Sequence, residues 1–229
     1  MSMCGRYGFY RADEFAERFG TKKSDFDVPD NFNAAPGQML PVIRETEQGR
    51  VLEGMKWGLV PVWAKDVNIG YKMINARSET IFEKPAWRGP VKRHRCLVPA
   101  RGFYEWQKLE KNGKPTKQPY FIKPKDQDLF AFAGLYSTWH DSNGNELWTF
   151  TIVTTSANKE MAPIHDREPV ILQPEDESLW LDPSVSDRLA LEAVLRQYPD
   201  GKLEMVAVSS DVNVVKNNDD HLILPINSK

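Results

Sequence analysis

A chain of 229 residues, 41% hydrophobic and 11% aromatic, is long enough to bury a sizeable core as one enzyme-sized unit. No apolar run reaches the roughly 18 residues of a membrane span, and the N-terminus lacks the basic-then-apolar order of a secretory signal, so the chain reads as soluble and cytoplasmic. Its two cysteines, Cys4 and Cys96, make no disulfide framework, and the net charge of −2 argues against nucleic acid until its distribution is seen: residues 50–125 hold 17 Lys+Arg against 6 Asp+Glu.

In chain order, residues 11–20 predict a short helix, with Phe15 and Phe19 one turn apart and Gly20 placed to end it. Residues 24–38 look irregular. Residues 39–44 and 51–57 are strand-like around Gln48-Gly49. Residues 102–108 pair naturally with 120–123 across Lys111-Asn112-Gly113-Lys114. Residues 129–137 and 147–154 are rich in aromatic and β-branched side chains and are joined by Asp141-Ser142-Asn143-Gly144; residues 203–208 form a late strand. Helical pattern is confined mainly to 156–161, 175–180 and 186–197. With no repeat and no linker, residues 1–229 read as a single domain of α+β class, mostly antiparallel β curled into a barrel, with a few peripheral helices.

Walker and dinucleotide loops, paired CxxC motifs and HExxH are absent from the sequence, so no cofactor or metal is expected. The chemistry-bearing residues lie elsewhere. In Met73-Ile74-Asn75-Ala76-Arg77-Ser78-Glu79-Thr80, a period of two puts Asn75, Arg77 and Glu79 on one strand face, a polar surface suited to a polyanion. Residues 84–95, containing Lys84, Trp87 and Arg88, interleave cations with an aromatic and two prolines, as a loop tracking phosphates would. Glu105 alternates with Phe103 and Gln107 on one face of its strand, and partial desolvation there would raise its pKa toward acid–base use. His94, His140 and His221 read as surface or structural residues. His165 differs, held with Asp166, Arg167 and Glu168 between Pro163 and Pro169, where an imidazole can exchange protons near neutrality.

Cys4 stands in Met3-Cys4-Gly5-Arg6. As an N-terminal residue it would carry an amine and a thiol on one carbon skeleton, a pair that condenses with an aldehyde to a thiazolidine; a buried structural cysteine is the ordinary alternative.

These segments, together with Asn33-Ala34-Ala35-Pro36-Gly37, Trp57-Gly58-Leu59-Val60-Pro61-Val62-Trp63-Ala64, Arg95-Cys96-Leu97-Val98-Pro99-Ala100 and Gly102-Phe103-Tyr104-Glu105-Trp106, resemble the SRAP (SOS response-associated peptidase) family over nearly the whole chain. The resemblance implies a mostly β fold with a positively charged cleft, sensing of abasic sites in single-stranded DNA, and catalytic roles for Cys4, Asn75, Glu105 and His165. It implies a covalent thiazolidine link to the lesion and self-cleavage that exposes the cysteine. Arg6, Arg77, Lys84, Arg88 and Arg167 would hold phosphates, while Trp63 and Trp87 would stack on or wedge between bases. Two features depart from the family pattern: Met1-Ser2-Met3 precede the cysteine, and Glu168 stands where Met or Arg is expected. Residues 1–3 would have to be removed, because any residue ahead of Cys4 acylates the amine. A cysteine peptidase or amidohydrolase acting on external substrates would use the Cys4 thiolate with His165 as base and no free amine, and a non-covalent reader of modified or damaged bases would need only the basic block and the aromatics.

Overall fold

The structure, a computed structural model, describes residues 4–22, 26–111 and 113–226. Its first strand, β1 (Tyr7–Phe9), leads into α1 (Phe15–Phe19), whose two phenylalanines meet edge to face and which stops at Gly20 in the left-handed region at φ 64°. Then come β2 (Asn31–Ala34) and the hairpin of β3 (Met39–Thr46) and β4 (Gly49–Trp57). β5 (Asn75–Arg77), α2 (Pro90–Arg93) and β6 (Arg95–Ala100) precede two long hairpins. One joins β7 (Gly102–Lys111) to β8 (Lys114–Pro124); the other joins β9 (Phe130–His140) to β10 (Glu146–Ser156). The chain ends with β11 (Arg167–Pro169), α3 (Glu177–Leu181), α4 (Arg188–Val194) and β12 (Leu203–Ala207).

Strands β10, β4, β3, β6 and β9 pair in that order, and β9 pairs back with β10, so five strands close into a barrel. Only the β10–β4 junction of that ring is parallel. The fold is therefore the expected one, mostly antiparallel β with a barrel and small helices at its edge. Closure removes exposed strand edges from the ring and leaves its interior to side chains such as Val42, Val98, Phe132 and Ile152, which share one face by register and are all fully buried. A second sheet, ordered β12-β8-β7-β1-β2, packs through Phe103 and Ile122 into the same apolar core. Its other face carries a small cluster of Tyr104, Phe121, Val208, Val212 and Leu222.

Three local differences have identifiable causes. Residues 156–161 form no helix: β10 runs to Ser156, and the Asn158 side chain then accepts from Met161 N–H at 2.9 Å, holding a turn that Pro163 closes. The strand expected through Thr80 ends at Arg77 and passes into a 3-10 turn, Ser78–Thr80, which takes Glu79 off the face it was expected to share with Asn75. Residues 24–38 are not wholly irregular, since β2 pairs with β1 there. Asn112, part of the expected turn Lys111-Asn112-Gly113-Lys114, and residues 1–3 lie outside the described residues.

Gly58 shows why the chain after β4 needs glycine. It sits at φ 118°, and a Cβ added there would lie 2.6 Å from the Gly70 carbonyl oxygen. Gly58→Ala is expected to cost about 3 kcal/mol of stability or more, from backbone strain together with a clash against backbone. Urea denaturation checks this, and a variant with the parent's midpoint would contradict it.

Candidate active site

The site begins where the N-terminal strand docks on β7. Tyr7 lies opposite Phe103 and Gly8 opposite Gly102, and Tyr104 N–H donates to the Arg6 carbonyl at 2.9 Å. That register brings Cys4 beside Glu105, 101 residues away in sequence, and the Cys4 backbone N–H donates to Glu105 Oε1 at 2.5 Å. Cys4 is fully buried and left-handed at φ 42°, a conformation that a non-glycine residue adopts only under constraint. As the alternation predicted, Phe103 turns into the main core while Tyr104 and Trp106 join the second cluster.

Glu105 is 4% exposed. Burial raises its pKa to about 7, the N–H groups of Cys4 and Trp106 pull it down, and the nearby charge of Asp166 adds to the rise. A carboxyl poised near neutrality can both give and take a proton. Burial also pushes the Cys4 thiol well above its ordinary value, and Glu105 adds to that, so the sulfur rests as a thiol.

A cavity of about 450 Å³ is lined by Glu105, Arg6, Trp106, Asn213 and His165 among others. Burial lowers the His165 pKa; Asp166 opposes this, while Lys108 and Arg167 reinforce it. Neutral His165 accepts from Arg167 N–H at Nδ1 (3.2 Å); on protonation that nitrogen becomes a donor, and Asp166 Oδ1 stands 2.9 Å away to receive it. The loop carrying His165 is tied down at Glu168, whose buried carboxylate accepts from Asn158 N–H at 2.8 Å and Tyr198 N–H at 2.6 Å. Asn158 in turn orders Met161, whose carbonyl receives the His165 N–H at 2.9 Å. Glu168→Ala leaves two buried N–H groups without their acceptor. It is expected to cost about 2–4 kcal/mol and to speed amide exchange at residues 158–165; unchanged exchange there would contradict this role.

The description SOS response associated peptidase (SRAP) belongs to a family profile that matches residues 3–215. The chain belongs to the SRAP family. Among its relatives is the abasic site processing protein YoqW of Bacillus subtilis (strain 168), 45% identical over 225 residues, covering 96% of this chain and 99% of that protein. The abasic site processing protein HMCES of Gallus gallus is 36% identical over 230 residues, covering 86% of this chain and 66% of that protein. A crystal structure of a Bacteroides thetaiotaomicron protein superposes with a TM-score of 0.83 at 29% identity, covering 98% of both chains.

In this SRAP chain the structure brings Cys4, Glu105 and His165 to one place. Asn75 is half-buried at the head of β5, opposite Ile152 of β10. Arg77, Lys84 and Arg88 are exposed, and Trp63 is 55% exposed beside a groove that also contains Pro85 and His94. Arg6 lines the cavity, with its guanidinium donating to Asn33 Oδ1 and to the carbonyls of Val212 and Asn213.

Two expected DNA contacts are corrected. Trp87 is only 7% exposed and packs in the core, because the turn through 84–94 folds its indole inward; it offers no ring for stacking. Arg167 is 8% exposed and its guanidinium is held in a two-pronged pair with Glu79 and by the Thr154 carbonyl, so its charge is already met by protein. The basic stretch is likewise not all surface. Arg95 is buried and donates to the carbonyls of Val91, Lys92, Trp180 and Asp182, fastening α2 to α3.

Sequence reasoning assigned no role to Asn33 or Asn213. Buried Asn33 shares its amide N–H groups among the carbonyls of Val212, Val214 and Asn217, which fixes the segment that carries Asn213 into the cavity wall. Asn213 Oδ1 then accepts from Trp106 Nε1 at 2.8 Å. The Asn33 motif was visible; its partner segment, some 180 residues downstream, carried no matching signal.

Proposed function

We propose that this protein processes abasic sites, capturing them in single-stranded DNA as a thiazolidine cross-link through Cys4 once Cys4 is the N-terminal residue. The observation that carries the reading is the Cys4 nitrogen 2.5 Å from the Glu105 carboxyl, whose pKa is raised to about 7, in a cavity that Glu105 and His165 both line. The names of the relatives, abasic site processing proteins, agree with it.

With residues 1–3 removed, that nitrogen is an α-amine. Glu105 takes a proton from the ammonium, and the freed amine attacks C1′ of the ring-opened deoxyribose. Glu105 returns the proton to the departing hydroxyl, so the carbinolamine loses water and becomes a protonated imine. The Cys4 sulfur then bonds to C1′ while its proton passes to the Glu105 carboxylate, closing a five-membered ring; counted from the ammonium, one proton is released. Because both nucleophiles belong to one residue, closure is intramolecular and has a large effective concentration. His165 moves protons to and from the sugar oxygen, and Asn75 orients the cysteine and the sugar. Arg6, Arg77, Lys84 and Arg88 meet phosphates, and Trp63 stacks on an unpaired base.

Self-cleavage fits the same atoms. The Met3–Cys4 bond consumes one water, and Glu105 is placed to protonate the nitrogen that leaves. The buried, protonated thiol of Cys4 weighs against a peptidase acting on external chains, which needs an accessible thiolate. The reading is tested by incubating protein that begins at Cys4 with single-stranded abasic, double-stranded abasic and intact oligonucleotides, followed by denaturing electrophoresis. A shifted band is expected with single-stranded abasic DNA. Its absence there, or an equal band with intact DNA, would refute the reading.

A further inference from the structure

The two groups that move protons in the mechanism above come from separate parts of the chain, Glu105 from β7 and His165 from the connection between β10 and β11. Much of that connection is bonded to itself. Ala162 N–H donates to the Asn158 carbonyl at 3.0 Å, and the N–H groups of Ile164 and His165 both donate to the Met161 carbonyl, at 2.8 and 2.9 Å. The Pro163 carbonyl is bonded elsewhere: Gln107 Nε2, on β7, donates to it at 3.3 Å. Gln107 lies two residues beyond Glu105 and shares its face of the strand. The neighbours of this amide decide its orientation. A carbonyl can only accept, so the nitrogen of Gln107 must face Pro163; the amide oxygen then lies toward Tyr120 Oη, 3.2 Å away, and the hydroxyl must donate to it. Tyr120 stands directly opposite Glu105 in the β7–β8 ladder and packs against the main core, which anchors the row Tyr120, Gln107, Pro163 at its far end.

We propose that Gln107 is a positioning residue for the abasic-site reaction: oriented by Tyr120, it ties the Pro163 carbonyl to β7 and so holds His165, two residues on, at the cavity that Glu105 also lines. This role rests on the abasic-site reading and adds to it the link between the two proton-moving groups. Without the tie the connection keeps its internal bonds but is no longer fastened to β7 at Pro163, and the imidazole meets the sugar oxygen in a smaller fraction of its positions.

The test follows adduct formation by protein that begins at Cys4, over a range of concentrations of single-stranded abasic oligonucleotide. Gln107→Met keeps the length of the side chain and cannot donate. Its rate at saturating DNA is expected to fall about fivefold, the share of one partly exposed hydrogen bond, with the half-saturating concentration within about twofold of the parent's. Tyr120→Phe, which removes the donor that orients the amide, is expected to lower the rate about twofold alone and to add nothing to Gln107→Met. Because the tie acts through His165, Gln107→Met is expected to leave the residual rate of a His165→Ala variant unchanged, whereas a general disturbance of β7 would lower that rate too. Amide exchange, which needs no DNA, is expected to speed up in Gln107→Met at Ile164 and His165 and to stay as it was at Tyr104, whose N–H is held by the Arg6 carbonyl. A parent-like rate in Gln107→Met, a fivefold loss that persists in the His165→Ala background, a full rate in His165→Ala alone, or unchanged exchange at 164–165 overturns the role. Absence of any adduct with the unsubstituted protein refutes the abasic-site reading instead, and the exchange measurement still judges the tie.

Discussion

Cys4→Ala is expected to abolish the denaturation-resistant complex with abasic single-stranded DNA altogether, while leaving reversible binding within about twofold. The adduct needs both the amine, which captures C1′, and the sulfur, which locks the imine into a ring; alanine keeps the first and loses the second. An imine formed by the alanine variant stays open to water and is lost on denaturation unless borohydride reduces it. The variant is therefore expected to be trapped by borohydride and to give no stable band without it. Reductive methylation of the parent's amine, with the thiol intact, is expected to remove both species. A stable band from Cys4→Ala, or from methylated protein, would show that another group holds the DNA.

Glu105→Gln separates stability from chemistry. Gln keeps an oxygen that accepts from the Cys4 N–H but cannot move a proton, and adduct formation is expected to slow by about 100-fold or more. Stability changes in the opposite direction. With residues 1–3 in place, the folded protein holds the Glu105 proton to about pH 7, whereas an exposed glutamate releases it near 4.5. Below that lower value both states are protonated and burial carries no electrostatic penalty. Between the two values the folded state binds the extra proton, so stability falls as pH rises, and above about pH 7 the penalty is complete, on the order of 3 kcal/mol. Glutamine does not ionise and escapes it. The variant's advantage in denaturation midpoint should be near zero at pH 4, grow through pH 5–7 and level off above. A difference that does not change with pH would contradict the buried, proton-holding carboxyl.

Much of the sheet structure could be read from local pattern. The β3–β4, β7–β8 and β9–β10 hairpins have alternating or β-branched strands punctuated by turn residues, and each forms where expected, with several ends longer and β8 starting six residues earlier, at Lys114 rather than 120. The elements that escaped are those defined by partners distant in sequence. β1 is three residues long and exists because β7 and β2 flank it. β6 opens with Arg95 and contains Pro99, and neither reads as a buried strand until the carbonyls around Arg95 are known. Trp87 and Arg167 were misread for the same reason. Composition marks an aromatic and a cation, but only the fold shows that one is packed away and the other paired with Glu79.

The site divides similarly. The alternation in β7 placed Glu105 on the core side, and the prolines around His165 marked an ordered loop. Nothing local in the chain joins Cys4 to Glu105; in the sequence that link came only through resemblance to a family, and in the structure it is one hydrogen bond made possible by the register of β1 on β7. Glu168, a departure from the family pattern, proves to be a fastening point of the loop that carries His165.

In the mechanism proposed above, the Cys4 nitrogen, freed as an amine, and the Cys4 sulfur both bond to the lesion. Intact mass spectrometry of the protein before and after incubation with a single-stranded abasic oligonucleotide tests both parts at once. The expected starting mass corresponds to loss of residues 1–3, and the expected product is heavier by the oligonucleotide less one water. A product that forms while residues 1–3 remain attached would contradict the mechanism.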